Sequence, residues 1–348
     1  MVWSSAHAKL HVSLRARVLL PKRSRILIAV SGGQDSLCLA HLLIGLADKW
    51  DWSLAIVHGD HQWREDSSEN AAHVVRLAEQ WNLPAWVEIA ESALTGEAAA
   101  RQWRYRVFAK VARAQGYDYV VTGHTSSDRA ETVLYNLIRG TGTDGVGTLP
   151  WVRQLDQRNP PVMLVRPLLR FSRQETAAVC QQQQLPVWED STNQDVALRR
   201  NRIRQELLPY LREHFNPQVD KALSQMAEIA AADTNYLNQQ AKILYRRCIL
   251  EPVDRSDSNP EVTDWTIKRT ELSQAPLALQ RRVIKQVLQR VQETSALPRP
   301  APYNFFQIEK LIALLKAPNG SRSDPYPGGW IARVNGATVI FERQLSQE

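Results

Sequence analysis

Through the first half of the chain, short apolar runs alternate with longer stretches whose apolar positions recur every three to four residues. Ile26-Leu27-Ile28-Ala29-Val30 is too short for a helix and reads as a buried strand. The apolar stretch from Leu37 to Leu46 then reads as a helix. A second strand is expected over Ser53 to Val57, and a helix over Ser68 to Trp81 with Ala71, Val74, Val75 and Ala78 on one face. Pro84 introduces a strand over Ala85 to Ile89, and Glu97 to Arg113 sets Trp103, Val107 and Val111 on one helical stripe. Tyr117 to Val121 is a further strand, followed by a helix over Asp128 to Ile138. Repeated strand–helix units of this size predict an α/β fold, a doubly wound parallel sheet with right-handed crossovers.

The pattern changes in the second half. The stretch from Leu208-Pro209 to Asn216-Pro217 reads as a boundary, dividing the chain into residues 1–215 and 216–348. A length of 348 residues exceeds what one core usually organises, which agrees with two domains. Val219, Leu223, Met226, Ile229 and Leu237 to Leu244 predict one or two long amphipathic helices. Further helices are expected over Leu277 to Val291 and Phe305 to Leu315. Glu251 to Asp264 reads as a polar linker, and Pro298-Arg299-Pro300-Ala301-Pro302 as a break. Trp330 to Phe341, centred on Asn335-Gly336, carries a β-hairpin signal. The expected second domain is mainly helical and ends in that hairpin.

Chemistry concentrates where strands end. Ser31-Gly32-Gly33-Gln34-Asp35-Ser36 lies between the first strand and its helix. Backbone N–H groups at a helix start are unpaired and carry the positive end of the helix dipole, so they attract an anion. Gly32 and Gly33 allow close approach, and the hydroxyls of Ser31 and Ser36 add donors. The turn has no lysine, unlike the Walker-type loop. Asp35 beside phosphates makes sense chiefly as a Mg²⁺ ligand. His58-Gly59-Asp60-His61 and Gly123-His124 with Asp128 and Glu131 fall at two further strand ends. In a doubly wound sheet, ligands bind beyond those ends. The bland alternatives are strand-end polar groups for the histidines and dipole partners for Asp128 and Glu131.

Cys38, Cys180 and Cys248 are far apart, without C-x-x-C spacing, which argues against disulfides, zinc and a cysteine-ligated cluster. No run approaches the length needed to span a bilayer, so a cytoplasmic protein without a membrane partner is expected. Lys+Arg exceed Asp+Glu by 43 to 36, which favours a polyanionic partner. Residues 1–34 hold six Lys/Arg and no Asp or Glu. The basic stretch runs straight into the first strand, so Leu10 to Leu20 reads as a basic helix packed on the domain rather than a targeting segment. Arg199, Arg200, Arg202 and Arg204 set four guanidiniums within six residues. On a helix they spread over more than one face, and arginine forks suit phosphate, a role assigned here to Arg202 and Arg204.

The loop Ser31 to Ser36 resembles that of the ATP pyrophosphatases. Further blocks follow in order: Val57 to Arg64, Glu97 to Arg101 with Arg104-Tyr105, Thr122-Gly123-His124 with Asp128, Glu131 and Thr132, and Arg139 to Gly145 reaching Leu149-Pro150. Arg166-Pro167-Leu168-Leu169, Glu189 to Asn193, Arg200 to Arg204 and Leu208-Pro209 complete the set, over roughly residues 25–215. As a set they are similar to the isoleucine tRNA lysidine synthetases. Departures are Ser127 and Arg129 around Asp128, and Trp63 where a leucine is usual. The resemblance implies that ATP adenylates C2 of the cytidine at the first position of a CAU anticodon in an isoleucine tRNA, after which free L-lysine displaces AMP. It implies nucleotide binding by Ser31 to Ser36, His58 and His124, with Mg²⁺ on Asp35. It also implies catalytic roles for Asp35, Asp60, Asp128 and Glu131, and tRNA contacts from Arg101, Arg104, Arg139, Arg202 and Arg204. The second domain is then tRNA-recognising, and a homodimer stays open. A tRNA thiolase, a small-molecule amidating enzyme and a non-catalytic RNA-binding protein are the alternatives.

Overall fold

The computed structural model describes residues 3–63, 66–91, 94, 96–157, 159–188, 199–250, 265–293 and 303–343. Two compact units emerge, Met1–Ala231 and Ala232–Glu348.

The first unit follows the strand–helix alternation. It begins with α1 (Ser5–Arg17), β1 (Arg25–Ala29), α2 (Gln34–Trp50), β2 (Ser53–Asp60), α3 (Ser67–Gln80) and β3 (Ala85–Ile89). It continues with α4 (Glu97–Gln115), β4 (Tyr119–Thr122), α5 (Ser126–Ile138), α6 (Thr143–Val146), β5 (Val152–Gln154), β6 (Met163–Val165) and α7 (Arg173–Gln182). After α8 (Arg199–Arg202) the chain widens into a π-helical turn over Ile203–Leu207, then resumes as α9 (Leu208–His214) and α10 (Val219–Cys248). Pro209 has no N–H to give to the preceding turn, and the wider register accommodates it.

The six strands run in the order β3-β2-β1-β4-β6-β5, with only β5 antiparallel. Ile26, Leu27 and Ile28 are fully buried, as expected of a strand covered on both faces. The chain leaves β1 toward β2 and β3, then returns to place β4 on the other side of β1. That reversal opens a crevice at the carboxyl ends of β1 and β4. Gly123 makes the crevice tight: a Cβ there would fall 2.7 Å from the Asp35 carbonyl oxygen. Helix α1 packs through His7, Leu10 and Leu14, as the N-terminal reading expects. Two of its cations are paired, however, Lys9 with Glu175 and Arg17 with Glu228, so it adds less positive surface than its composition suggests.

The second unit contains the rest of α10, β7 (Ile249–Leu250), β8 (Trp265–Lys268), α11 (Arg269–Gln274), α12 (Leu277–Glu293), α13 (Phe305–Leu314), β9 (Trp330–Asn335) and β10 (Thr338–Arg343). The hairpin forms at Asn335-Gly336, with Gly336 at φ 54°. It belongs to an antiparallel sheet of order β7-β8-β10-β9, so helices and a sheet share this core. The sequence signalled the hairpin but not its partners β7 and β8, which are short. The expected linker from Glu251 to Asp264 and the proline-rich break at 298–302 lie outside the described residues.

The division between the units falls inside α10, beyond the proline-containing stretch that suggested 215. The first turns of α10 belong to the first unit for a physical reason. Glu228 accepts hydrogen bonds from Arg17, from Arg129 Nη1 at 3.5 Å and from Trp151 Nε1 at 3.3 Å. The Arg129 side chain is only 3% exposed, so Glu228 balances a buried cation. A chain ending at 215 would lose that balance. Glu228→Ala should therefore lower unfolding stability by about 2 kcal/mol, Glu228 itself being partly solvated. Urea unfolding of the full-length protein checks this, and an unchanged midpoint would contradict it.

Candidate active site

Helix α2 starts at the crevice with Gly33 as its N-cap and no side chain capping it. By contrast, α5 and α7 are closed by capping boxes, Thr125 with Asp128 and Ser172 with Glu175. The first turn of α2 therefore keeps backbone donors for an anion. The Ser36 hydroxyl donates to the Gly33 carbonyl at 2.8 Å and lies 3.2 Å from the Ser31 hydroxyl, which folds the loop into a cup. Gly32 sits at φ 84°, and a Cβ there would come within 2.4 Å of Asn70 Oδ1. Asn70 Nδ2 in turn donates to the Ser31 carbonyl at 3.1 Å, fixing the loop from α3. Loop, uncapped helix start and glycine clearance together fit a polyphosphate.

Asp35, on the first turn of α2, is held by α7. Its Oδ2 accepts from Arg173 Nε at 3.2 Å and Nη2 at 3.0 Å, and its Oδ1 accepts from the Thr176 hydroxyl. Gln34 Nε2 donates to the Arg173 carbonyl at 2.7 Å, so the N-terminal turns of α2 and α7 meet at this carboxylate. The same Arg173 Nη2 lies 4.0 Å from Asp128 Oδ1. Burial, aided by Asp128, pushes the Asp35 carboxyl up despite Arg173 and Thr176. At Asp128 burial acts the same way, but Arg173, Arg200 and the Thr125 backbone N–H win and hold it well below the usual carboxylate range. Among the described residues no three His, Cys, Asp or Glu cluster as a self-sufficient metal site. A divalent ion would need phosphate oxygens beside Asp35, which is the habit of Mg²⁺.

The arginine run divides by face. Arg200 and Arg204, four residues apart, both reach Glu131, whose side chain is 1% exposed. Arg200 Nε donates to Oε2 at 3.1 Å, and Arg204 donates to Oε1 at 2.6 Å and Oε2 at 2.9 Å. Both arginines also lie 3.7 Å from Asp128 Oδ1. Of the two arginines read as phosphate contacts, Arg202 is exposed, whereas Arg204 anchors its helix to Glu131. Glu131 has both oxygens engaged by guanidiniums. Asp128 serves its capping box as well, accepting from Thr125 N at 2.8 Å and Thr125 Oγ1 at 2.9 Å, so the bland reading of it is also true.

The other expected residues line the same edge. His58 Nδ1 lies 2.8 Å from the Val30 carbonyl, and His124 Nδ1 lies 2.9 Å from Thr122 Oγ1. Burial, with Arg166, Arg101 and Arg200 nearby, keeps the His124 imidazole neutral by lowering its pKa. Asp60 is buried at the end of β2 and accepts from Gln62 N at 2.8 Å. Arg101 and Arg104 lie on α4, where Arg101 stands over the Tyr105 ring at 5.7 Å. Against burial, Arg166 and Arg101 pull the Tyr105 phenol down to about 8. Arg139 is apart from this group, exposed at the end of α5 over Tyr135. Glu189 to Asn193 lie outside the described residues. Sequence reasoning missed Arg173, Thr176 and Asn70 as contributors, and included Tyr105 in a block without giving it a role. Only the block Arg166 to Leu169, just before α7, pointed toward the first two.

Residues 6–211 match the PP-loop domain family. Curated tRNA(Ile)-lysidine synthases are similar along nearly their whole length. One from Nostoc sp. is 50% identical over 98% of this chain and 98% of its own. One from Synechocystis sp. is 47% identical over 97% of each. Among solved structures, the U34-tRNA thiolase of Methanococcus maripaludis with its 4Fe-4S cluster shares the fold, with a TM-score of 0.56 at 16% identity over 65% of this chain and 78% of that one. The parallel sheet with its glycine loop at the strand reversal accords with a PP-loop domain, and the full-length relatives narrow it: the chain belongs to the tRNA(Ile)-lysidine synthase family of PP-loop proteins.

Proposed function

We propose that this protein uses ATP to join free lysine to C2 of the cytidine at the first anticodon position of an isoleucine tRNA with a CAU anticodon. The observation that carries the reading is the uncapped start of α2 with Asp35 in its first turn, set beside a cluster of carboxylates and guanidiniums. The C2 carbonyl oxygen of cytosine attacks the α-phosphorus of ATP, the α–β bridge breaks, and its electron pair leaves with pyrophosphate. Donors aimed at developing phosphate charge lower that barrier, and the loop N–H groups supply them. Magnesium on Asp35 and the phosphates would add charge neutralisation there.

In the second step the ε-amine of lysine attacks C2, the C2–O bond breaks, and AMP departs. Free lysine carries ammonium groups and a carboxylate, so a mixed-sign cluster suits it better than an acidic one. Asp60, Asp128 and Glu131 offer the negative groups. Asp128, held ionised among arginines, suits binding the ammonium, with Glu131 beside it on α5. Asp60, away from that arginine cluster, suits taking its proton. Exposed Arg202, with Arg101, Arg104 and Arg139, would meet tRNA phosphates, and the second unit would read the tRNA beyond its anticodon. A cytoplasmic setting accords with these substrates.

A sulfur-transferring reading is disfavoured by the cysteines. Cys38, Cys180 and Cys248 are buried, and burial pushes the Cys180 thiol up to about 11 and Cys38 higher still, so neither is a ready thiolate.

Incubation with ATP, labelled lysine and an isoleucine tRNA bearing CAU should label that tRNA and not the methionine tRNA. A sulfur adduct, or no adduct, would reject the reading. Asp35→Ala should abolish labelling while the protein stays folded. Asp35→Asn gives a pH signature. A carboxyl whose pKa is raised by folding binds its proton more readily in the native state, so its ionisation costs stability as pH rises through that raised pKa. Asp35→Asn should thus melt higher than wild type near pH 8, with the gain shrinking as pH falls into the ordinary carboxylate range. A lower melting point at pH 8 would contradict the assignment. Binding of tRNA by the full-length protein should weaken steeply with salt, as counterion release requires. A salt-independent affinity would remove the proposed phosphate contacts.

A further inference from the structure

Arg173 stands where helix electrostatics disfavour it. It is the first residue of α7, and a cation there meets the positive end of the helix dipole. The position is nevertheless well specified. Its backbone N donates to Ser127 Oγ at 3.3 Å, and its carbonyl accepts from Gln34. Its guanidinium makes two hydrogen bonds to Asp35 Oδ2 and lies 4.0 Å from Asp128 Oδ1. The side chain keeps 37% of its surface exposed, so it faces the crevice rather than the core. Arg200 and Arg204 are committed to Glu131, with both of its oxygens in hydrogen bonds to them. Arg173 instead takes its partner from the phosphate loop itself.

Asp35 cannot offer an oxygen to a divalent ion while Arg173 and Thr176 hold both of them. Nor does a guanidinium released beside the loop lack a destination, since a triphosphate there presents the acceptors that suit a planar fork. We propose that Arg173 is an exchangeable cation of the adenylation step, a role that rests on the ATP-dependent reading above. It neutralises Asp35 and Asp128 before ATP arrives. It then passes to the phosphate oxygens, where it stabilises the charge that gathers on pyrophosphate as the α–β bridge breaks. One guanidinium thus serves two anions in turn, and the unfavourable helix position is the cost of placing it between them.

Two measurements on the full-length protein test this. The first is binding of Mn²⁺ alone, followed by the electron paramagnetic resonance signal of the free ion. Arg173→Met leaves two carboxylates without their shared cation, so Mn²⁺ should bind about ten-fold tighter than in wild type. The gain should vanish in Arg173→Met combined with Asp35→Asn. The second is pyrophosphate release with ATP, lysine and the isoleucine tRNA, where kcat of Arg173→Met should fall about a hundred-fold or more. Arg173→Lys keeps the charge without the fork and should take intermediate values in both assays, which covers a methionine variant that fails to fold. Mn²⁺ affinity no tighter than wild type in Arg173→Met, or kcat within about three-fold of it, overturns the proposal. If only Arg173→Lys folds, wild-type values for it in both assays overturn it. Failure of the lysine-joining reading would show separately, as no lysine adduct from the wild type, and would leave the Mn²⁺ result standing.

Discussion

The first turn of α2 is left without a side-chain cap at the one place where the parallel sheet reverses its strand order. That is an energetic deficit in the protein by itself, because helix-start N–H groups want acceptors. Much of the surrounding structure serves to hold the deficit open. Gly32 takes a left-handed conformation so that Asn70 can brace the loop, and Gly123 lets the β4–α5 turn lie against the Asp35 backbone. The serine hydroxyls bond within the loop and shape the cup. A phosphate group is the kind of acceptor that would complete what the fold leaves unsatisfied.

Around the cup the charges are arranged as a chain rather than as isolated pairs. Asp35 and Asp128 share Arg173, Asp128 also faces Arg200 and Arg204, and these two converge on Glu131. Burial, with Asp128 beside it, raises Asp35, whereas at Asp128 the arginines and the Thr125 N–H outweigh burial, so the two carboxyls shift in opposite directions. The chain ties α2, α5, α7 and the segment from α8 through the π-helical turn to one set of ion pairs. A substrate that exchanges with one member alters the balance felt by the others.

Helix α10 supports the first unit through Ala227, Glu228 and Ala230 before it enters the second. The second unit has its own core, built from Val283, Val287, Leu311 and Phe341 among others. It holds helices and an antiparallel sheet, and its described residues show no second loop of the phosphate-binding kind.

Much of this was legible in the chain. The order and type of the strands and helices from β1 through α5 followed from apolar periodicity, because a strand buried on both faces and an amphipathic helix impose different spacings. Strands β5 and β6 and helix α7 were not anticipated. The glycine turn at the start of α2 followed from six consecutive residues, since a turn between strand and helix is a local geometry. The hairpin at Asn335-Gly336 was local too. The partners were not. That Asp35 would be held by Arg173, and Glu131 by Arg200 and Arg204, depends on residues 138 and about seventy positions apart meeting in space. Periodicity shows that four arginines on one helix cannot share a face. Only the packing of that helix on α5 decided that Arg200 and Arg204 turn inward while Arg202 stays in solvent. The compact units divide later in the chain than residue 215 for the same reason. Proline and glycine mark turns in sequence, but a core ends where its long-range contacts end, and Glu228 carried those contacts into α10.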